Sequence, residues 1–169
     1  YWAARAGLDV VVVEKKVFPR EKTCGDGLTP RAVHQLDEMG LSEALEAHHR
    51  FNGLRAVAHG RSLELAWPEH NVYPSHGFVV RRRDLDGLVA DNAVGAGARL
   101  LTGTEASSPL MFAGRLVGAT VIDVSSGAVR ELRAHNVIIA DGSNSRFGRA
   151  LGAARDRSGK TLSDKLANE

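Results

Sequence analysis

Asp9 to Glu14 carries four consecutive valines closed by an acidic residue. So short an apolar, β-branched run predicts a strand buried on both faces. Ahead of it, Tyr1 to Gly7 reads as the last turns of a helix, with Gly7 as the C-terminal cap. Thr29 to Met39 reads as a helix capped by Thr29, with Pro30 at its first position and Gly40 ending it. Ser42 is placed to cap a shorter helix over Glu43 to His49. Leu54 to Ala58 and Ser62 to Trp67 alternate as a hairpin about Gly60-Arg61. Next come a strand over Gly77 to Arg81, a helix over Arg83 to Val94 and a strand over Arg99 to Leu101. Leu116 to Val124 pairs with Ala128 to Leu132 across Ser125-Ser126-Gly127, and the chain then enters Asn136 to Gly142, expected as a parallel strand. The alternation of strand and helix is that of an α/β fold, with the two hairpins as antiparallel insertions. No repeat or low-complexity tract interrupts it.

Composition changes this picture little. A hydrophobic share of 43% with 25% charged residues over 169 positions fits a soluble globular piece able to build a core. A formal charge of +2, with basic and acidic residues interspersed, gives no ground for a nucleic-acid partner. The single cysteine excludes an internal disulfide and favours a reducing compartment. No apolar run approaches the roughly 18 residues of a membrane span. No charged-then-apolar signal segment opens the chain, so the expected location is cytoplasmic. The seven histidines lack metal spacing, and His48-His49 fall on different faces of the expected helix, so no metal site is expected.

Candidate chemistry gathers at the ends of the apolar runs. An acidic residue closing the second strand of a doubly wound sheet accepts hydrogen bonds from an adenosine ribose, which makes Glu14 a candidate. In that arrangement a glycine-rich turn lies roughly 20 positions upstream, where a helix N-terminus meets a pyrophosphate. Gly25 and Gly27 flank Asp26 and allow positive φ and close approach to a flat ring or a phosphate chain; the same residues also suit an ordinary turn. Cys24 reads either as a thiol beside such a ring or as a small buried filler. Lys22 and Asp26 pull its pKa in opposite directions, so nothing next to it in sequence marks a thiolate. Asp141-Gly142 suits the carboxyl end of a parallel strand, where ligands of open α/β sheets bind, or a capped turn into a helix.

The run Phe18-Pro19-Arg20-Glu21-Lys22-Thr23-Cys24-Gly25-Asp26-Gly27-Leu28-Thr29-Pro30-Arg31-Ala32-Val33 is specific. With Trp67-Pro68, Val80-Arg81-Arg82-Arg83-Asp84-Leu85-Asp86 and Ala140-Asp141-Gly142-Ser143-Asn144-Ser145 in order behind it, the chain to about Gly152 resembles the geranylgeranyl reductase family of flavoproteins. Within that family it is most similar to the mycobacterial menaquinone reductases. The resemblance implies an incomplete Rossmann-like FAD-binding domain of the glutathione-reductase/p-hydroxybenzoate-hydroxylase type. It implies FAD as cofactor, with Glu14, Cys24, Gly25, Asp26, Gly27, Arg82, Ala106, Asp141 and Gly142 as contacts. Arg82 is selected among three arginines by its spacing to Leu85-Asp86, and would brace phosphate or flavin oxygens; read alone it is a solvated charge at a helix start. Ala106 corresponds to a small residue facing the adenine and carries no signal of its own.

The implied activity is hydride transfer from reduced FAD to a carbon–carbon double bond of a prenyl lipid or isoprenoid quinone, at the inner face of a membrane. NAD(P)H or another reductant would supply the electrons, and no general acid can be named. An aromatic-ring flavin monooxygenase shares Glu14 and Asp141-Gly142 but not the Phe18 to Val33 signature. The chain also departs from the family. Its glycine-rich first loop, first strand and GDA-type turn are missing, and Ala153 to Glu169 is polar and unlike the family, as in a disordered tail. A non-enzymatic remnant that alone neither holds FAD nor turns over is the corresponding expectation.

Overall fold

A computed structural model describes residues 1–142 and 144–152. In chain order its elements are α1 (Trp2–Arg5), β1 (Val11–Val13), β2 (Gly27–Leu28), α2 (Pro30–Glu38), α3 (Ser42–Glu46), β3 (His49–Phe51), β4 (Gly53–Ala58), β5 (Arg61–Ala66), β6 (Gly77–Val79), α4 (Arg82–Gly95), β7 (Arg99–Leu101), β8 (Thr104–Phe112), β9 (Arg115–Asp123), β10 (Val129–Arg133) and α5 (Arg146–Ala150). They form two compact units, the first from Tyr1–Val10 and Phe18–Arg99, the second from Val11–Val17 and the described residues after Arg99. The expected tail, 153–169, lies outside the described residues.

The first unit is built around β6. Its Phe78 pairs with Leu28 of β2 on one side and Arg50 of β3 on the other, both antiparallel. Phe78, Val33, Leu45 and Val80 are almost wholly buried and pack with Leu36 and Leu41, with Leu85, Leu88 and Val89 of α4 laid against them. Each such side chain contributes about 1.5–3 kcal/mol through removal from water. Close approach fixes Gly77: an added Cβ would meet the Leu28 carbonyl and the Phe51 ring. A smaller cluster of Ala4, Ala93 and Ala98 seats α1 on the end of α4. Gly7 ends α1 with φ +82°, its N–H donating to the Ala4 carbonyl, as the cap expectation requires.

Several local expectations are corrected. Thr29 precedes α2, yet its side chain makes no capping bond. Ser42 is the first residue of α3 rather than its cap; its hydroxyl donates to Asp37 Oδ1 at 2.8 Å, which removes it from the helix end. His49 leaves the helix for β3, because its backbone pairs with Val79. The first hairpin turns on His59 and Gly60, not Gly60-Arg61: both have positive φ, and Ala58 pairs directly with Arg61. Leu54, Leu63 and Leu65 share one face of that hairpin and are exposed.

In the second unit β1 pairs with β7. The Glu14 N–H donates to the Leu101 carbonyl, and at the neighbouring first-unit residues the Arg99 N–H donates to that of Val10. Residue numbers rise together along the two strands, so the pair is parallel. A three-stranded antiparallel meander, β8, β9 and β10, completes the unit. Strand β8 was not foreseen. Its Ala113-Gly114 turn to β9 takes positive φ at both residues, and alanine is a poor signal for that conformation. Strand β6 stands in a different sheet from β7, so the Gly77 to Leu101 stretch is not one parallel repeat. The expected strand over 136–142 is also absent: Val137 to Ala140 has a strand's composition, but no strand among the described residues pairs with it, and Ile138 lies exposed.

Candidate functional site

The loop from Phe18 to Gly27 is tied to the start of α4 by a series of polar contacts. Asp26 provides the central one. Its carboxylate Oδ1 accepts the Arg82 backbone N–H at 3.0 Å, while its carbonyl accepts that of Val80 at 2.8 Å. Helix α4 begins after Arg81, which supplies no side-chain cap, so Asp26 does the capping from 56 positions upstream. Its negative charge also sits at the positive end of the helix dipole. The positive φ foreseen for the flanking glycines falls instead on Asp26, at 53°. Aspartate tolerates this conformation better than most residues with a Cβ, and here the distant Arg82 N–H holds its carboxylate. Gly25 is exposed, and an added Cβ there would meet nothing within 4 Å; its backbone faces open space.

The three arginines are held differently, although Arg81 and Arg83 share Asp84. Arg81 pairs with Asp84 and is largely exposed, and Arg83 reaches Glu21 at 3.3 Å. Arg82 is the most buried of them, with a side chain 24% exposed. Its Nε and Nη2 donate to the two carboxylate oxygens of Asp86 at 2.9 and 3.1 Å. Arg20 joins the same carboxylate through Nη1 at 3.0 Å.

Cys24 is exposed, which removes the buried-filler reading. Its thiol pKa is lowered from the ordinary value, first by the backbone N–H of Asp26, then by the Arg82 side chain. Lys22 and Asp26 as neighbouring charges did not reveal this. The cause is a backbone donor together with a cation distant in sequence. Asp86 was legible only as a helical i+4 partner of Arg82, and nothing in the sequence marked Arg20 as its second cation.

In the second unit Glu14 follows β1 directly, at the carboxyl end of the parallel pair. Its Oε1 accepts the Lys16 N–H at 2.8 Å. Ala106 lies within β8 opposite Val121, beside a bulge at which Ser107 donates to the Thr120 carbonyl. Asp141 and Gly142 form a capped turn into α5. Asp141 Oδ2 accepts the Ser145 hydroxyl at 2.8 Å, Ser145 Oγ accepts the Gly148 N–H at 2.7 Å, and Gly142 has φ +82°.

Taken unit by unit, the chemistry present suits parts of a flavin dinucleotide. In the second unit a carboxylate after a parallel strand suits a ribose; in the first, exposed glycine backbone suits a ring or phosphate face and a guanidinium suits anionic oxygens. Among the described residues no group of three or more His, Cys, Asp or Glu is placed to hold a metal, and no helix is long and apolar enough to cross a membrane.

A family model described as FAD binding domain matches residues 3–168. Menaquinone reductase of Mycobacterium tuberculosis is 43% identical over 152 residues, which cover 89% of this chain and 36% of the relative. Digeranylgeranylglycerophospholipid reductase 1 of Methanopyrus kandleri is 33% identical over 153 residues, covering 89% of this chain and 37% of its own. The chain thus spans little more than a third of the length of these relatives. Among solved structures, a geranylgeranyl bacteriochlorophyll reductase-like protein from Thermoplasma acidophilum superposes with TM-score 0.73 at 26% identity over 89% of this chain and 37% of that one. A myxobacterial chondrochloren halogenase superposes with TM-score 0.80 at 21% identity over 88% and 35%, a likeness of fold.

Proposed function

The chain belongs to the FAD binding domain family and has the glutathione-reductase/p-hydroxybenzoate-hydroxylase type of fold, and from that premise we propose that it serves an FAD-dependent reductase of isoprenoid double bonds. Residues 1–152 are the FAD-binding part. The observation that carries the reading is the Phe18 to Val33 signature folded onto α4, with Asp26 capping the helix whose first residue is Arg82. The extent of identity to menaquinone reductase supports a prenyl quinone or prenyl lipid as substrate.

When bound, FAD supplies the hydride. The chain's share is binding and orientation. Glu14 would hold a ribose hydroxyl, backbone from Cys24 to Gly27 with the positive charge of Arg82 would hold the flavin side, Ala106 would leave room for the adenine, and Asp141-Gly142 would hold the pyrophosphate. The reductant is NAD(P)H or another donor, and the lipid substrate places the working enzyme at a membrane surface.

The test is a chimera in which residues 1–152 replace the matching segment of the mycobacterial relative. The expected product purifies yellow, with stoichiometric FAD, and Glu14→Ala or Arg82→Ala lowers the occupancy about tenfold or more, as loss of a charged hydrogen bond does. A folded chimera that binds no FAD would remove the proposal.

A further inference from the structure

The β8–β9 hairpin ends in apolar residues, where a chain turning through solvent ordinarily places polar ones. Leu110-Met111-Phe112 leads into the Ala113-Gly114 turn, and Arg115-Leu116-Val117 leads out of it. Phe112 is 70% exposed and Met111 48%. Met111 stands opposite Leu116, and Phe112 opposite Arg115. Neighbouring positions of a strand point to opposite faces, so the end of the ribbon carries apolar groups on both. It is a wedge. The exposed leucines of the β4–β5 hairpin lie instead on one flat face, and the turn there is His59-Gly60 beside Arg61.

Charge follows the same polarity. From Ala106 to Ile122 the two strands and their turn hold one charged residue, Arg115, and no acid. The acids of the meander stand at its other end, where Glu105 faces Ile122 and Asp123 faces Thr104, or in β10, where Glu131 is paired with Arg133 at 3.1 Å. Glu105 to Met111 is about 20 Å at the rise of a strand, beyond the roughly 8–10 Å over which exposed charges act at physiological salt. From Leu110 to Ala113 the ribbon advances about 10 Å, which matches the roughly 5–10 Å to which an interfacial apolar segment enters the boundary of headgroups and acyl chains. We propose that this tip is a docking surface for an anionic phospholipid bilayer. Phe112, Met111 and Leu116 enter the interface, and Arg115 meets the headgroup phosphates. A second protein chain would cover one face of so thin a ribbon, whereas a fluid lipid surface closes around both. The bearing of this contact on turnover rests on the reading above, in which a prenyl lipid brings the enzyme to a membrane.

The test is flotation of the 169-residue chain with vesicles, which separates bound protein from aggregate. One set of vesicles is phosphatidylcholine, the other phosphatidylcholine mixed with phosphatidylglycerol, and neither FAD nor a prenyl substrate is added. The chain is expected to float with the mixed vesicles. Phe112→Ser should lower the partition about tenfold or more, the loss for one large apolar side chain left in water. Arg115→Gln should lower it about fivefold on the mixed vesicles and leave it unchanged on phosphatidylcholine. Leu63→Ser combined with Leu65→Ser, on the flat face of the other hairpin, should change neither. Phe112→Trp should keep binding, with emission that shifts to the blue on vesicles and is quenched by brominated acyl chains beyond the signal of Trp2 and Trp67. Circular dichroism accompanies each variant, and should Phe112→Ser unfold, the quenching of Phe112→Trp decides in its place. No flotation, a partition indifferent to Phe112→Ser, or a loss confined to the Leu63 and Leu65 variant would overturn the assignment. A dimer that Phe112→Ser dissociates, with no vesicle binding, would overturn it in favour of a second copy of the chain. Because flavin and substrate are both left out, vesicle binding fails or succeeds apart from the FAD occupancy of the chimera.

Discussion

Asp26 shows how much one residue can do that its neighbours in sequence do not announce. As part of a Gly-Asp-Gly turn it was legible as a candidate contact, and the glycines were expected to carry the unusual backbone. Instead Asp26 takes the positive φ and spends its carboxylate on the first N–H of α4. The sequence hides this because the two partners lie 56 positions apart and neither belongs to a local capping pattern. Asp26→Ala removes the acceptor and leaves a Cβ residue in the left-handed region. It should cost about 1–2 kcal/mol in chemical denaturation, the range for loss of a cap, whereas Asp26→Asn should cost less than half of that. Equal losses in the two variants would contradict the capping role. Arg82 was chosen among three arginines by motif spacing alone; the structure distinguishes it physically as the most buried of them, with its own acid partner.

At the scale of elements, strongly patterned segments were legible and those needing a distant partner were not. Four valines and an acid gave β1, though it is not the doubly buried strand expected, since Val12 is exposed and its neighbours are only half-buried; Pro30 and Gly40 bracketed α2, where local sterics and the burial of Val33 and Leu36 agree. Val137 to Ala140 is as strand-like in composition, yet a strand exists only in a ladder, and no ladder among the described residues receives it. The central element of the first unit is β6, where Phe78 is 1% exposed between two partner strands. Phe78→Ala should lower stability by about 3–5 kcal/mol. Gly77→Ala should lower it by about 1–3 kcal/mol, because a methyl group has no room against the Leu28 carbonyl. Thermal melts of the two variants check both figures. The loop after β9 carries a pH signature. Hydroxyl and backbone donors from Ser125 and Ser126 hold the Asp123 carboxyl down to about 2 from 3.8. A depressed folded-state pKa contributes stability that is fully present above the unfolded value and is lost as pH falls through the folded one. The β9–β10 loop should therefore stay ordered down to about pH 4 and loosen toward pH 2. An Asp123 side-chain NMR titration with its midpoint near 4 would contradict this.

For the whole molecule, the FAD binding domain family and the extent of identity to menaquinone reductase place this chain among flavoproteins, while it spans little more than a third of those relatives' length. The family was legible because its signature is long and ordered along the chain. The contacts that fold the signature were not, since Arg20, Asp26 and the start of α4 meet only in the folded first unit. The proposed reductase activity is tested most directly by its product. The chimera carrying residues 1–152, reduced and given menaquinone, is analysed by mass spectrometry. The account predicts a side chain heavier by two hydrogens at one prenyl double bond, with the gain abolished by Arg82→Ala. An unchanged quinone from a chimera that holds FAD, or a product that gains an oxygen atom, would contradict it.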